Sequence, residues 1–398
     1  MFLGNNPKIK LFLCSLIYVL ATSFSYSQNI KFKRLSIDEG LSASSVNTVF
    51  QDSQDFIWIG TQDGLNRYDG YHIKTFKTDL NSKTSISSNF INCMFEDKEG
   101  FIYVGTNDQG LSIFNKYIET FTNYKAGLGS KTLSNNSIRS IIDLSATELL
   151  IATDEGLNIF NKTSKQFSIV KTENDESADN LTYIFKDSKN QIYVASNGNG
   201  FFKYNSDKKT LENFQVPRQF STQQHNINIS EKINIRCITE VNGSIWCGSD
   251  DGILVFNPNE KKFDNVITFG TNADTRYNNR IVSYSRDEDP NFIWIGTWGG
   301  LIKYNISNGS SILIKNNELD QNSLSNDKIS FLLTDKRKNL WVGTLDKGIC
   351  VYFPSSIKFP LYNFSNGLTN DYVYSVLQTK DKTIWVGTAD GLFTLNEK

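Results

Sequence analysis

FIWIGTQDGLNRYD, residues Phe56–Asp69, is an apolar run carrying a tryptophan, a Gly-Thr step, a polar turn closed by Gly-Leu, and a second alternating run ending in aspartate. The pattern returns as IYVGTNDQGLSIFN at Ile102–Asn115, LLIATDEGLNIFN at Leu149–Asn161 and IYVASNGNGFFKYN at Ile192–Asn205. It continues as IWCGSDDGILVFN at Ile245–Asn257, IWIGTWGGLIKYN at Ile293–Asn305, LWVGTLDKGICVY at Leu340–Tyr352 and IWVGTADGLFTLN at Ile384–Asn396. The glycine or alanine of the step falls at 60, 105, 152, 195, 248, 296, 343 and 387, eight copies spaced 43 to 53 residues apart. A period of this size with several short strands per unit specifies an all-β protein, a β-propeller of four-stranded blades.

The first repeat shows how the strands are read. Val46–Gln51 is a β-branched run, Asp52–Asp55 a polar turn and Phe56–Thr61 the second strand. Gln62-Asp63-Gly64 turns into Leu65–Tyr68, and Asp69-Gly70 turns into His72–Lys77. Alternation, β-branched and aromatic content, and Gly/Asp/Asn punctuation mark each element. Gln215–Lys232 is polar and weakly patterned, which predicts a long surface loop in the fourth repeat's outer connection.

Ile30–Ser36 resembles an outermost strand yet precedes the first innermost one, so its partner is the last blade, where it also covers an open edge. A Gly-Leu lead-in occurs at Gly40-Leu41-Ser42 and again at Gly367-Leu368-Thr369. The eighth repeat therefore reads as a new start. This predicts a seven-bladed ring over 28–356, with 357–398 opening a second, truncated propeller. The alternative is a single eight-bladed ring in which 357–398 is the last blade.

The chain has 398 residues, 13% of them aromatic, as stacked sheets require. Lys8 and Lys10, the apolar run Leu11–Ala21 and the small residues of Ser25-Tyr26-Ser27 form a signal peptide over 1–27, cleaved before Gln28. Cleavage takes the net charge from −1 to −3, which argues against nucleic acid as a partner. Cys93, Cys237, Cys247 and Cys350 show no metal-type spacing. A two-residue turn at Asn242-Gly243 would pair 238 with 247 and send Cys237 and Cys247 to opposite faces, so free thiols are expected.

The motifs DSQDFIWIGTQDGLNRYDG at Asp52–Gly70, DKTIWVGTADGLF at Asp381–Phe393 and GLSASSV at Gly40–Val46 resemble the two-component regulator propeller repeat. The resemblance spans nearly all of the chain beyond the signal peptide. It implies the periplasmic sensor region of a hybrid two-component system of Bacteroidetes-type bacteria, often regulating glycan use. Such proteins resemble two seven-bladed propellers, a β-sandwich, a membrane helix, a histidine kinase and a regulator with a DNA-binding module. No apolar stretch after residue 27 is long enough to span a membrane. The only histidines, His72 and His225, lie in propeller repeats, so kinase and output functions are not assigned to this sequence.

Chemistry points to recognition. Two separated histidines do not make a metal site, no G-x-S-x-G presents a serine nucleophile, and no cofactor is expected. Trp298, on the turn after Gly296-Thr297, offers an indole that could stack on a sugar or pack against the next loop. Arg139, Arg236 and Arg280 begin innermost strands and would crowd the channel mouth, with Tyr372 and Tyr374 on repeat eight and Asn92 as a neutral contact. The arginines could hold a carboxylated or sulfated ligand through paired donors, or pair with turn carboxylates. The expected function is a non-catalytic periplasmic sensor recognising an oligosaccharide, with a membrane histidine kinase or a homodimer as partner. The alternatives are a propeller lyase or hydrolase with His225 as base, and a protein-interaction ring.

Overall fold

The computed structural model describes residues 30–354 and 372–395, apart from 130, 175–177, 199, 222–225, 231, 271–272 and 381–382. The signal peptide and its cleavage point lie outside the described residues. The chain divides into two compact units, Met1–Pro354 and Ser355–Lys398.

In the first unit, Val46–Gln51, Ile57–Thr61, Gly64–Tyr68 and Ile73–Phe76 form a four-stranded antiparallel sheet in chain order. The later repeats fold alike. The outermost strands Gln166–Thr172 and Thr210–Phe214 also share a short parallel ladder, which merges the third and fourth sheets. In every repeat the innermost strand carries a bulge at its second residue, as between Val46 and Thr48.

The recurring residues have separable jobs. The step's threonine or serine closes the next turn: Thr61 Oγ1 donates to the Gly64 carbonyl at 2.9 Å, and Thr153, Ser249 and Thr297 repeat the bond at 2.8–2.9 Å. The step's glycine serves packing between sheets rather than a turn. A Cβ on Gly60 would lie 2.7 Å from Ile91 Cγ2, and one on Gly105 would lie 2.6 Å from Ile138 Cγ2, in each case the first residue of the next innermost strand. The turn aspartate organises the opposite end. Asp52 Oδ1 accepts from the Gln54 and Phe56 amides at 2.9 and 3.0 Å, while its Oδ2 accepts from Trp58 Nε1 at 3.0 Å. Asp335 treats Arg337, Asn339 and Trp341 in the same way. Both carboxylates are buried and fully used, which gives the Asp-to-Trp spacing a structural purpose.

Successive innermost strands pack on one another from Val46–Gln51 to Ile329–Thr334, and that last strand packs back on Val46–Gln51. Outside, Phe32–Leu35 pairs antiparallel with Ile349–Tyr352, Phe32 opposite Tyr352 and Leu35 opposite Ile349. The bonds between neighbouring repeats recur at this junction. Gly348 N donates to Ser44 O at 2.8 Å, as Gly64 N does to Asn89 O at 2.7 Å and Gly110 N to Asn136 O at 2.9 Å. Val46 meets Gly343 as Ile91 meets Gly60. Lys336 Nζ adds bonds to Asp52 O and Asp55 Oδ1 at 2.9 and 2.8 Å.

One expectation is corrected. Within the stretch predicted to be a loop, Gln219–Ser221 pairs with Asn226–Asn228 in a small antiparallel hairpin. Val216, Phe220 and Ile229 are buried against the cluster that includes Phe214 and Phe256, so a few spaced apolar residues anchor a polar stretch. The cysteines follow the predicted register, with Ile238 opposite Cys247 and Cys237 opposite Gly248, and all four described thiols are free. In the second unit, Val373–Gln378, Ile384–Thr388 and Gly391–Leu395 form a three-stranded antiparallel sheet.

Candidate ligand site at the turn face

In the first unit, the register places the start of each innermost strand beside the turn that follows the Gly-Thr step, as Val46 opposite Thr61 shows. Side chains at the bulge and just after the step therefore gather on one face of the first unit. In the first, second and fourth repeats the bulged side chain spans to the next sheet. Asn47 Nδ2 donates to Ile91 O at 2.9 Å, Asn92 Nδ2 to Ile138 O at 3.0 Å and Thr182 Oγ1 to Ile235 O at 2.5 Å. Asn92, expected as a ligand contact, is thus an interlock between sheets.

The third and fifth repeats carry charge at both positions. Arg139 grips Asp154 through Nε and Nη2 at 2.8 and 3.0 Å. Arg236 grips Asp250 through the same atoms at 2.8 and 3.2 Å. Of the two readings open for these arginines, pairing with turn carboxylates is the one found on these edges. Burial pushes the Asp154 carboxyl up, but the bonds from Arg139 and the Arg139 charge outweigh it and hold it below the usual range. Asp250 is likewise pushed up by burial and held low by Arg236, Asn234 and the charge of Arg280.

Arg280 differs from the other two. It follows the 3-10 segment Ala273–Asn279 and brings a second guanidinium to Asp250, with Nε 3.1 Å from Oδ1. That oxygen already receives Arg236 Nε in line, and the buried Arg280 Nε makes no directed hydrogen bond. The Arg280 guanidinium sits over the Trp298 ring, Cζ 3.3 Å from the centroid. Trp298 is half-buried, and of its two expected uses, a ligand surface or internal packing, this face of the indole serves packing, covered by Arg280. Burial and the neighbouring Arg236 charge pull the Arg280 pKa down from its ordinary value.

The expected set is therefore only partly assembled. Arg236, Arg280 and Trp298 form one corner around Asp250, and Asn234 completes it with a 2.9 Å bond to Asp250 Oδ2. Arg139 and Asn92 belong to other repeats and are satisfied there. Tyr372 and Tyr374 lie in the second unit, where both are exposed. His72 is an exposed outer residue 3.8 Å from Asp69, and His225 lies outside the described residues. Asp250 and Asn234 are the members that sequence reasoning did not single out. Among the described residues no group of His, Cys, Asp and Glu could hold a metal, and no helix is long and apolar enough to cross a membrane.

The two component regulator propeller family matches residues 40–63, 85–108 and 367–390. Over 60 residues, 15% of this chain, the sequence is 40% identical to Histidine kinase P4 of Formosa agariphila, covering 4% of that protein. Among solved structures, the fold is similar to the extracellular domain assigned to the hybrid two component system BT3049 of B. thetaiotaomicron. The TM-score is 0.70 at 21% identity, over 92% of this chain and 53% of that one. It is also similar to the extracellular domain assigned to a one component system, BT4673, of the same organism, at TM-score 0.66 and 22% identity over 94% and 46%. The chain spans about half the length of these two extracellular domains.

Proposed function

Because the chain carries two component regulator propeller repeats, we propose that it is a non-catalytic, periplasmic ligand-sensing propeller of a two-component signalling system. It recognises an oligosaccharide at the turn face of the first unit and passes the signal to a membrane histidine kinase or through a homodimer. Residues 28–356 act as a closed seven-bladed ring and 357–398 as a further repeat.

The observation that carries the reading is the corner at Trp298. The third repeat pairs one arginine with one aspartate at this face, and only here among the described residues do two arginines meet one aspartate with an indole beside them. An indole edge beside polar groups is the kind of surface that orients a sugar. The opposite reading, a lyase or hydrolase, has less support, because the corner's carboxylate is committed to arginine.

The test is a thermal-shift screen of the purified protein against neutral and acidic oligosaccharides. Selective binding raises Tm by favouring the folded state. The reading predicts a selective rise that Trp298→Ala removes, with the sugar recovered intact. Turnover of the sugar would refute it.

A further inference from the structure

We propose that Arg280 is the open half of an oxyanion socket, so that the ligand of the turn face carries a carboxylate or sulfate group. The inference rests on the reading of this face as a ligand site and adds the chemical class.

Two guanidiniums face one carboxylate. Arg236 takes the Asp250 edge in line, with bonds of 2.8 and 3.2 Å. Asn234 takes a further position on Oδ2. Arg280 approaches the same Oδ1 at 3.1 Å without a directed bond, and its buried Nε stays unsatisfied. A carboxylate serves one guanidinium fork fully, and a buried donor without a partner is costly. The next acid in the turn, Asp251, is turned to the Ser230 amide and hydroxyl at 2.9 and 3.0 Å. The corner therefore carries one unit of positive charge in excess.

The Arg139–Asp154 pair provides the internal contrast. It has the same strand position, the same turn position and the same two-bond geometry, but one arginine for one aspartate. The fifth repeat's pair is complete in the same way, and Arg280 is added to it from the sixth. Contact with the Trp298 ring restrains the added guanidinium and lowers the entropy lost when a second oxyanion docks. Each oxyanion bond to a charged donor contributes enough to change affinity by about tenfold.

The experiment uses inorganic sulfate, titrated into the purified protein in the low-millimolar range with chloride holding ionic strength constant. Wild type should show a saturable rise in Tm that Arg280→Met lacks, the methionine keeping an apolar stem on Trp298. Asp250→Asn, which removes the competing carboxylate, should bind sulfate severalfold more tightly. If Arg280→Met does not fold, Arg280→Lys decides, since it keeps the charge but loses the planar fork and should weaken binding about tenfold. No saturable rise in wild type, or an equal rise in the Arg280 variant, overturns the proposal. A sulfate response in a protein that binds no oligosaccharide would leave the socket standing and remove the sensing reading. Binding of neutral oligosaccharides without a sulfate response would do the reverse.

Discussion

Replacing Gly105 by alanine tests the packing that joins one sheet to the next. The added methyl carbon would sit 2.5 Å from Cys93 Sγ and 2.6 Å from Ile138 Cγ2, both closer than real carbon contacts allow. Gly105 cannot slide away, because it is held in register between Cys93 and Leu111 on its two neighbouring strands. Ile138 is buried and opens the next innermost strand, so relief requires two sheets to part by a fraction of an ångström. Overpacking of this kind costs about 1–3 kcal/mol. For a unit of this size that corresponds to a fall in Tm of roughly 2–4 °C per kcal/mol. Ala152 and Ala195 occupy the same step in the third and fourth repeats, so the variant should fold and only lose stability. Gly127→Ala is the control, since its Cβ would meet nothing nearer than Thr132 Cγ2 at 3.6 Å. Urea midpoints and thermal melts of the two variants give the answer. Equal stability of Gly105→Ala and Gly127→Ala within about 0.5 kcal/mol would refute the packing role.

Other outcomes follow from named contacts. Lys116 bridges two sheets, pairing with Glu96 and lying 3.7 Å from buried Asp52; Lys116→Met removes the cation shared by both carboxylates and should cost about 3 kcal/mol in urea denaturation. Asp154 and Asp250 are held below their unfolded values, so their stabilisation is complete above about pH 4 and is lost as pH falls through the folded values. Asp154→Asn combined with Asp250→Asn should accordingly be less stable at neutral pH and lose less on acidification, read from urea midpoints across that range. Burial pushes the Cys93 thiol up to about 12 and raises Cys237, Cys247 and Cys350, so alkylation by iodoacetamide at pH 8 should be slow when folded and fast in urea, as mass spectrometry would record.

The sheets were legible because two jobs are written into one dipeptide. The glycine or alanine admits the next sheet and the threonine or serine clamps the turn, so the step recurs wherever a sheet recurs. Strand limits in the first repeat followed the alternation to within a residue, as Val46–Gln51 and Ile57–Thr61 show. The hairpin in 215–232 was not legible, because its anchors Val216, Phe220 and Ile229 follow neither a strand nor a helix period.

The arginines were found by position and turn carboxylates were one of their two expected partners, but the particular aspartates were not assigned. The signal was present inside the chain. Only the third and fifth repeats have arginine at the bulge, and only those two have aspartate just after the step, Ala-Thr in one and Gly-Ser in the other, at 139 with 154 and 236 with 250. Comparing the two positions repeat by repeat would have paired them. Nothing in the sequence marks the contact of Arg280 with Trp298, because it joins a loop of variable length to a turn 18 residues later.

The most direct test of the account is calorimetric titration of the protein, and of Trp298→Ala, with the oligosaccharide that gives the largest selective thermal shift, with the sugar analysed by chromatography afterwards. The account predicts saturable binding to the wild type, at least tenfold weaker binding to the variant, and sugar recovered unchanged. Equal affinity in the variant, or cleavage of the sugar, would contradict it.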